Sequence, residues 1–403
     1  MKVIVAINGC NFGSTGNIMK GIARLAENRG HSVYIAYPMS RNMPSADKND
    51  IVISSVPVKF FSIKLAYFTG LNGCFAWIST WLFLKKLNKI RPDILHFHNL
   101  HDSYINLPML FNYVKKHKIK VIWTLHDCWA FTGHCPYFMM VACDKWKTGC
   151  GDCPQKKIYP KTCIDTSRFM WKKKKEWFSG VDDLTIVTPS GWLADLVRQS
   201  FLKDYPVKVI NNGIDLEKFK PTDSVFRKKY NLETKHIVLG VAFGWSKRKG
   251  LDVFIELAKR LDDRFQIVLV GTNDRVDHQL PSKIISIHRT HNQQELAEIY
   301  SSADVIVNPT REDNFPTTNI EALACGTAVI TTLGTGGGCE ILDEKTGVAI
   351  SINDIDEIEK QIIRICTKKV FSSSDCVDRA KNFDRNEKFK EYTDLYEQDK
   401  ENI

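Results

Sequence analysis

The stretch REDNFPTTNIEALACGTAVI, residues 311–330, sets acids beside the start of a helix. Pro316 suits the first helical turn, where its missing N–H is not needed. Gly326 suits a left-handed helix stop. A helix N-terminus attracts anions, yet Glu312, Asp313 and Glu321 are acids. Asp313 falls in the loop and Glu321 inside the helix, so the two can serve different parts of one ligand. Upstream, GVAFGWSKRKGLDVFIELAKRL places Lys247, Arg248 and Lys249 just ahead of Gly250 and a patterned helix. Cationic donors beside free backbone N–H groups make a phosphate grip; the plainer alternative is a solvated basic turn. Acids and cations together anticipate a nucleotide sugar, with diphosphate at one end and vicinal hydroxyls at the other.

A second group of residues lies in the first half. HFHNLHDSYINLP puts His96 and His98 on one face of a strand end, with His101 in the next loop. They read as cleft-lining hydrogen-bonding groups, with a metal site or satisfied structural histidines as alternatives. TLHDCWAFTGHC repeats the position one strand on, bringing out His126 and Asp127, and His126 suits hydrogen bonding to a sugar or a structural role. NGCNFGSTGNI offers Gly9, Gly13 and Gly16 where a strand meets a helix. Its spacing is not G-x-G-x-x-G, and no acid ends the second strand, which argues against a dinucleotide site.

Cys135, Cys143, Cys150 and Cys153 form a third group, the last two spaced C-x-x-C. Four thiolates can close a tetrahedral structural zinc site with no open position for chemistry; free thiols or two disulfides are the alternatives. Cys128, His134 and Cys163 are substitute ligands. RFMWKKKKEWF joins Lys172–Lys175 to Trp171, Trp177 and Phe178. That pattern suits a membrane interface or a lipid-linked diphosphate, or equally a solvated helix face whose aromatics pack inward.

The elements that must position these groups alternate between β-rich apolar runs and helical patterns, the signature of parallel α/β sheets. The strand runs are KVIVAIN, SVYIAYP, DIVISS, DILHFH, KVIWTLH and LTIVTPS, then VKVINN, IVLGVAF, FQIVLVG, VIVNPT and AVITT. A chain of 403 residues suits two such domains, divided near 203–210. The expected units are 1–205, with a Cys-rich insertion at about 128–165, then 206–380, then a charged C-terminal helix over 381–403. Two open sheets would face each other across a cleft lined by loops at their strands' carboxyl ends. The formal charge of +10 fits an anionic ligand, an acidic membrane surface or nucleic acid. The opening run MKVIVAINGC reads as a strand rather than a signal peptide. No run reaches the length of a spanning helix. GCFAWISTWLFLKKLNKI reads as an amphipathic, mostly buried helix, with a membrane-surface element as the alternative. Twelve cysteines without an export signal imply a reducing, cytoplasmic compartment.

At GSTGNI, PDILHFHNLH, TLHDCWAFTGHC, INNGIDLEKFKP, RKGLD and DNFPTTNIEALACGTAVI the chain resembles the retaining family 4 glycosyltransferases of GT-B fold. The motifs follow the family's order over nearly the whole chain. The TGHC…GCGDCP insertion is similar to the subgroup that makes bacterial capsule, colanic acid or O-antigen sugars. The resemblance implies two Rossmann-like domains, an N-terminal one for the acceptor and a C-terminal one for the nucleotide sugar, with the last helix packing back across them. It implies Glu321 on the nucleotide ribose, Lys249 on the diphosphate and His126 on the donor sugar. Asp313 stands where the family usually has glutamate, with Glu312 as the alternative contact. Gly13, Asn314 and Phe315 join the implied donor-binding set. Gly244 occupies the place of the family's arginine, whose charge Lys247 or Arg248 supplies. The resemblance further implies no catalytic metal, a polyisoprenoid-linked oligosaccharide acceptor and work at the cytoplasmic membrane face.

Two rival readings carry different chemistry. A nucleotide-sugar epimerase would share the architecture but needs acid–base groups in the first domain that the sequence does not display. A zinc-bearing nucleic-acid-binding protein would fit the charge and the cysteines, yet the strongest motifs sit on strand-end loops, so no nucleic acid is expected.

Overall fold

Parallel strands covered by helices on both faces bury every side chain, which explains why the central runs here are almost unbroken Val, Ile and Leu. The computed structural model of the protein describes residues 1–40 and 48–398. Its chain divides into two compact units, the first being Met1–Ile210 joined by residues from Phe389 on, the second Asn211–Lys388.

The first unit holds β1 Val3–Ile7, β2 Ser32–Tyr37, β3 Asp50–Val52, β4 Ile94–Phe97, β5 Lys120–Thr124, β6 Leu184–Thr188 and β7 Val207–Val209. They form one parallel sheet in the order β3-β2-β1-β4-β5-β6-β7. The second unit holds β8 His236–Val241, β9 Phe265–Val270, β10 Ile284–Ile287, β11 Val305–Asn308, β12 Val329–Thr332 and β13 Gly347–Ile350. Its parallel sheet runs β10-β9-β8-β11-β12-β13. Counted within each unit, both orders begin 3-2-1-4-5-6. Ligands of such sheets bind where the order reverses, beside β1 and β4 in one unit and β8 and β11 in the other.

The first unit's helices are α1 Gly13–Asn28, α2 Val56–Thr69, α3 Trp77–Ile90, α4 Leu107–His117, α5 Ser167–Phe178 and α6 Gly191–Arg198. The second unit's are α7 Phe226–Lys229, α8 Leu251–Arg260, α9 Asp274–Asp277, α10 Gln293–Ser302, α11 Thr317–Ala324, α12 Ile355–Lys368 and α13 Ser373–Ala380. The last helix, α14 Arg385–Glu397, starts in the second unit and from Phe389 belongs to the first. Local chemistry sets several starts. Asn106 accepts a hydrogen bond from the Met109 N–H at 3.0 Å to cap α4, and Asp354 caps α12 through the Glu357 N–H at 3.0 Å, as short oxygen-bearing side chains do at helix starts.

Several expectations need revision. VKVINN supplies β7, the edge of the first sheet, with Val207 opposite Ile186, so the first unit runs on to Ile210. Two strands escaped notice: β10 has one fully buried residue in four and β13 begins at a glycine, which weakens any apolar pattern. The helix over Trp77–Ile90 is not mostly buried, because only Ser79, Thr80, Phe83 and Leu87 face inward. In α5 Trp171 and Phe178 pack inward, Trp177 is half-buried and Phe169 is exposed, while Lys174 is buried with the first two. The C-terminal helix starts at Arg385 instead of 381, and residues 399–403 of that expected segment lie outside the described residues.

In the first core, Trp123 meets Phe178 edge-on at 5.0 Å between ring centroids, and Phe111 meets Phe178 at 4.6 Å. Phe178 is fully buried. Phe178→Ala is expected to cost about 3–5 kcal/mol, read as a lower urea midpoint; an unchanged midpoint would mean that this cluster does not hold the unit.

Candidate functional site

In the second unit three loops meet at the carboxyl ends of β8, β11 and β12. After β8 the chain passes the exposed Phe243 and a 3-10 turn, Lys247–Lys249, before α8. Gly250 has φ +76, and a Cβ there would lie 2.5 Å from the Pro309 ring and 2.6 Å from its carbonyl oxygen. Only glycine lets the turn approach the β11 loop so closely. The Arg311 N–H then donates to the Arg248 carbonyl at 2.8 Å, and the Arg248 guanidinium donates to the Glu312 carbonyl at 2.7 Å. The Lys249 ammonium pairs with Asp313 Oδ2, both side chains being partly exposed. Arg311 turns away, forking onto both Asp252 oxygens at 2.7 and 2.9 Å.

The loop after β12 completes the group. The Asp313 N–H donates to the Thr335 carbonyl at 3.2 Å, and the Gly337 N–H donates to the Asn314 carbonyl at 2.9 Å. Gly336 has φ +149, and a Cβ there would fall 1.6 Å from the Asp313 carbonyl oxygen. Behind these loops Asn319 is fully buried. Its Oδ1 accepts from Asn308 at 2.7 Å and its Nδ2 donates to Thr331 Oγ1 at 3.3 Å, tying α11 to β11 and β12. Glu321, one turn into α11, accepts from the Tyr300 hydroxyl at 2.9 Å. Burial raises its pKa, and hydrogen bonds from Tyr300 and Thr317 oppose that rise. The helix ends as expected, with Gly326 at φ +83.

In the first unit the histidines divide by role. His96 is buried, bonded through Nδ1 to the Tyr396 hydroxyl at 2.7 Å and through Nε2 to Thr124 Oγ1 at 2.8 Å. It joins the sheet to α14 and is structural. His98 Nδ1 lies 3.0 Å from His126 Nε2, the rings stacked at 5.3 Å. Burial lowers the His126 pKa to about 4, Asp127 resisting, so this pair is neutral at pH 7. His101 behaves oppositely. Burial disfavours its charge, but Asp102 and Asp127 overcome that and raise its pKa to about 10. Its Nε2 is 3.3 Å from Asp127 and its Nδ1 2.7 Å from the Tyr159 hydroxyl.

The four cysteines line one small cavity with His134, Phe138 and Trp146. The Cys135 and Cys153 thiols interact, lowering the Cys153 pKa to about 7 and raising that of Cys135. None of the twelve cysteines is joined in a disulfide. Lys174 lies close by, its Nζ donating to the Trp129 carbonyl at 2.7 Å and to that of Thr132 at 3.1 Å. Burial lowers its pKa to about 7, resisted by the charges of Cys150 and Asp127. Among the described residues, the metal-capable atoms already within 4.8 Å of one another belong to Asp274, Asp277 and His288 rather than to the cysteines.

The structure thus brings Lys249, Asp313, Arg248 and Glu312 together. Lys247 is exposed and Glu312 buried, leaving Asp313 the accessible acid of the two. The Phe315 side chain serves the core, 5.8 Å from the Phe383 ring, and Asn314 is buried in the loop. Gly13 opens α1 with φ +70, and nothing lies within 4 Å of a Cβ there. His126 belongs to the separate first-unit cluster. Sequence reasoning missed the Gly334–Gly338 loop, which the run GTGGG could have signalled, and the pairing of His101 with its two acids.

Two parallel sheets, each with a loop cluster at its topological switch point, define a two-domain, doubly wound type of α/β protein. Residues 16–218 match Glycosyltransferase Family 4, and residues 235–368 match Glycosyl transferases group 1. The chain belongs to glycosyltransferase family 4. It is 26% identical over 276 residues to WcaC of Escherichia coli K12, named as a colanic acid biosynthesis glycosyl transferase, covering 66% of this chain and 65% of that one. It is 31% identical over 148 residues to a Campylobacter jejuni N,N'-diacetylbacillosaminyl-diphospho-undecaprenol alpha-1,3-N-acetylgalactosaminyltransferase, covering 34% of this chain and 39% of that one. The matches thus span less than two thirds of either relative. Among solved structures, sucrose-phosphate synthase of Thermosynechococcus elongatus has a TM-score of 0.72 at 17% identity, covering 99% of each chain. Anabaena Alr3699/HepE in complex with UDP has 0.68 at 14%, covering 98% of this chain and 100% of that one. Such similarities establish the GT-B fold.

The His101 cluster makes stability depend on pH. Its folded pKa of about 10 exceeds the unfolded value of about 6.5. The stabilisation is therefore complete below about 6.5 and is lost as pH rises through about 10. The melting temperature of the parent should exceed that of His101→Gln most near pH 6 and converge with it by pH 10. Parallel curves across that range would show that His101 carries no charge in the fold.

Proposed function

We propose that the protein transfers a sugar, with retention of configuration, from a nucleotide diphosphate donor to a lipid-linked glycan acceptor at the cytoplasmic face of a membrane, in surface polysaccharide synthesis. The observation that carries the reading is the Lys249–Asp313 pair at the second unit's switch point, one helix start away from Glu321. A diphosphate competes for Lys249 with higher charge than one carboxylate, and its arrival frees Asp313 to accept hydrogen bonds from sugar hydroxyls. In this reading Glu321, one turn into the helix, accepts from the ribose hydroxyls. Lys249, its basic neighbours and the backbone N–H groups of the loops stabilise the departing diphosphate. The acceptor hydroxyl attacks on the face the diphosphate leaves, and a leaving phosphate oxygen takes its proton. The names of relatives support this acceptor class, two of them acting on diphospho-undecaprenol glycans.

A thermal-shift panel of UDP-, GDP- and ADP-sugars, followed by turnover on a diphospho-undecaprenol glycan, tests it. One donor class should raise the melting temperature, and Lys249→Ala should lower kcat/KM by about a hundredfold or more. No stabilising donor, or epimerisation of the donor without acceptor, would overturn the assignment.

We further propose that Cys135, Cys143, Cys150 and Cys153 hold a structural zinc. Their shared cavity and the C-x-x-C spacing of Cys150 and Cys153 suit thiolate ligation, with side-chain rotation drawing the sulfurs together. Metal analysis of protein purified without added metal should find about one zinc per chain, as for a closed four-thiolate site, and Cys150→Ser should lose it. A zinc-free parent, or full retention in the variant, removes this ligand set.

A further inference from the structure

Helix α2 and the start of α3 are turned inside out. In α2 only Ser62 and Ala66 are buried, while Phe60, Phe61, Leu65 and Phe68 face outward, Phe61 with 65% of its surface exposed. Over Trp77–Leu82 at the start of α3 the buried residues are Ser79 and Thr80, and the exposed ones are Trp77, Ile78, Trp81 and Leu82, Ile78 at 75%; Phe83 and Leu87 further along are buried and hold the helix to the core. Helices on a water-facing surface show the reverse pattern. Here the small and hydroxylic residues meet the protein, and the large apolar ones meet what surrounds it.

The two outward faces are continuous. Phe61 and Leu65 of α2 and Trp77, Ile78 and Leu82 of α3 line one groove of about 750 Å³. A contiguous apolar surface of this kind marks a partner or a membrane. Charge decides between them. From Asp50 to Asp93 the chain contains no intervening acid, while it carries Lys59, Lys64, Lys85, Lys86, Lys89 and Arg91. Lys85, Lys86 and Lys89 stand at one end of the groove, and Lys85 Nζ sits 3.5 Å from the Trp81 ring centroid. Indole rings followed one and two turns on by lysines, beside apolar side chains and free of acids, match an interface of phosphate headgroups over acyl chains. No helix among the described residues is long and apolar enough to cross a membrane, so the contact lies in the plane of one leaflet.

We propose that the α2–α3 face is the surface by which this protein inserts into an anionic lipid leaflet. Phe61, Trp77, Ile78 and Leu82 enter the acyl boundary, and Lys85, Lys86 and Lys89 meet the phosphates. The inference deepens the membrane-face placement proposed above but is argued from this surface alone, so flotation can fail while sugar transfer stands, and the reverse.

Flotation of the purified chain with vesicles tests it, with no donor or acceptor present. The chain should float with phosphatidylglycerol–phosphatidylethanolamine vesicles and far less with phosphatidylcholine alone. Phe61→Ser/Ile78→Ser/Leu82→Ser should lower the partition coefficient about tenfold or more, and Lys85→Glu/Lys86→Glu/Lys89→Glu should do so on anionic vesicles only. Both variants should keep the parent's melting temperature, which shows that they fold. Absence of the parent from anionic vesicles, or equal flotation of parent and variants, overturns the proposal. So does a concentration-dependent dimer that the serine variant dissolves, which would make the face a contact between two copies.

Discussion

Neighbouring parallel strands whose crossovers leave in opposite directions cannot cover each other's ends, and this constraint shapes both units. Right-handed crossovers carry the chain from β8 toward β9 and from β11 toward β12, so the carboxyl ends of β8 and β11 are left uncovered between departing helices. The backbone there must find partners without a ladder. It does so across loops: Arg311 N–H to the Arg248 carbonyl, Asp313 N–H to that of Thr335, Gly337 N–H to that of Asn314. Side chains at these positions are held by main-chain contacts, which is what gives Lys249 and Asp313 fixed places.

The first unit meets the same constraint with imidazoles. Neutral His98 and His126 stack above the strand ends, while charged His101 is held between two carboxylates. The difference follows from neighbours, since all three are largely buried and only His101 touches acids. Lys174 adds a buried amine against the Trp129 ring, donating to two carbonyls. The long segment carrying the cysteines is thereby anchored by hydrogen bonding as well as by apolar contact.

Much of this was legible in the sequence because the relevant signals are local. Asp313, Pro316, Glu321 and Gly326 occupy one loop–helix–stop unit, and the apolar runs of the central strands are unmistakable. What escaped reading was set by distant parts of the chain. VKVINN gives no sign of which sheet it joins; Val207 is placed by Ile186. Phe315 looks like a ligand contact until Phe383 arrives beside it. The outward face of α3 read as core because periodicity reports amphipathicity without saying which side is inside. Lys174 looked solvated for the same reason, one lysine in a row of four.

The first unit is discontinuous in the chain. Phe389, Tyr392, Leu395 and Tyr396 complete a cluster with Ile4, Ile22, Ala26 and Ile122, and Tyr396 supplies the partner of buried His96. During synthesis, domains generally fold in order from the N-terminus. Here the earliest strands leave the ribosome without these rings and receive them only after Asn211–Lys388 has been made. Maturation of the first sheet is thus timed by the arrival of Phe389, Tyr392, Leu395 and Tyr396, and a nascent chain stalled in the second unit carries an unfinished first one.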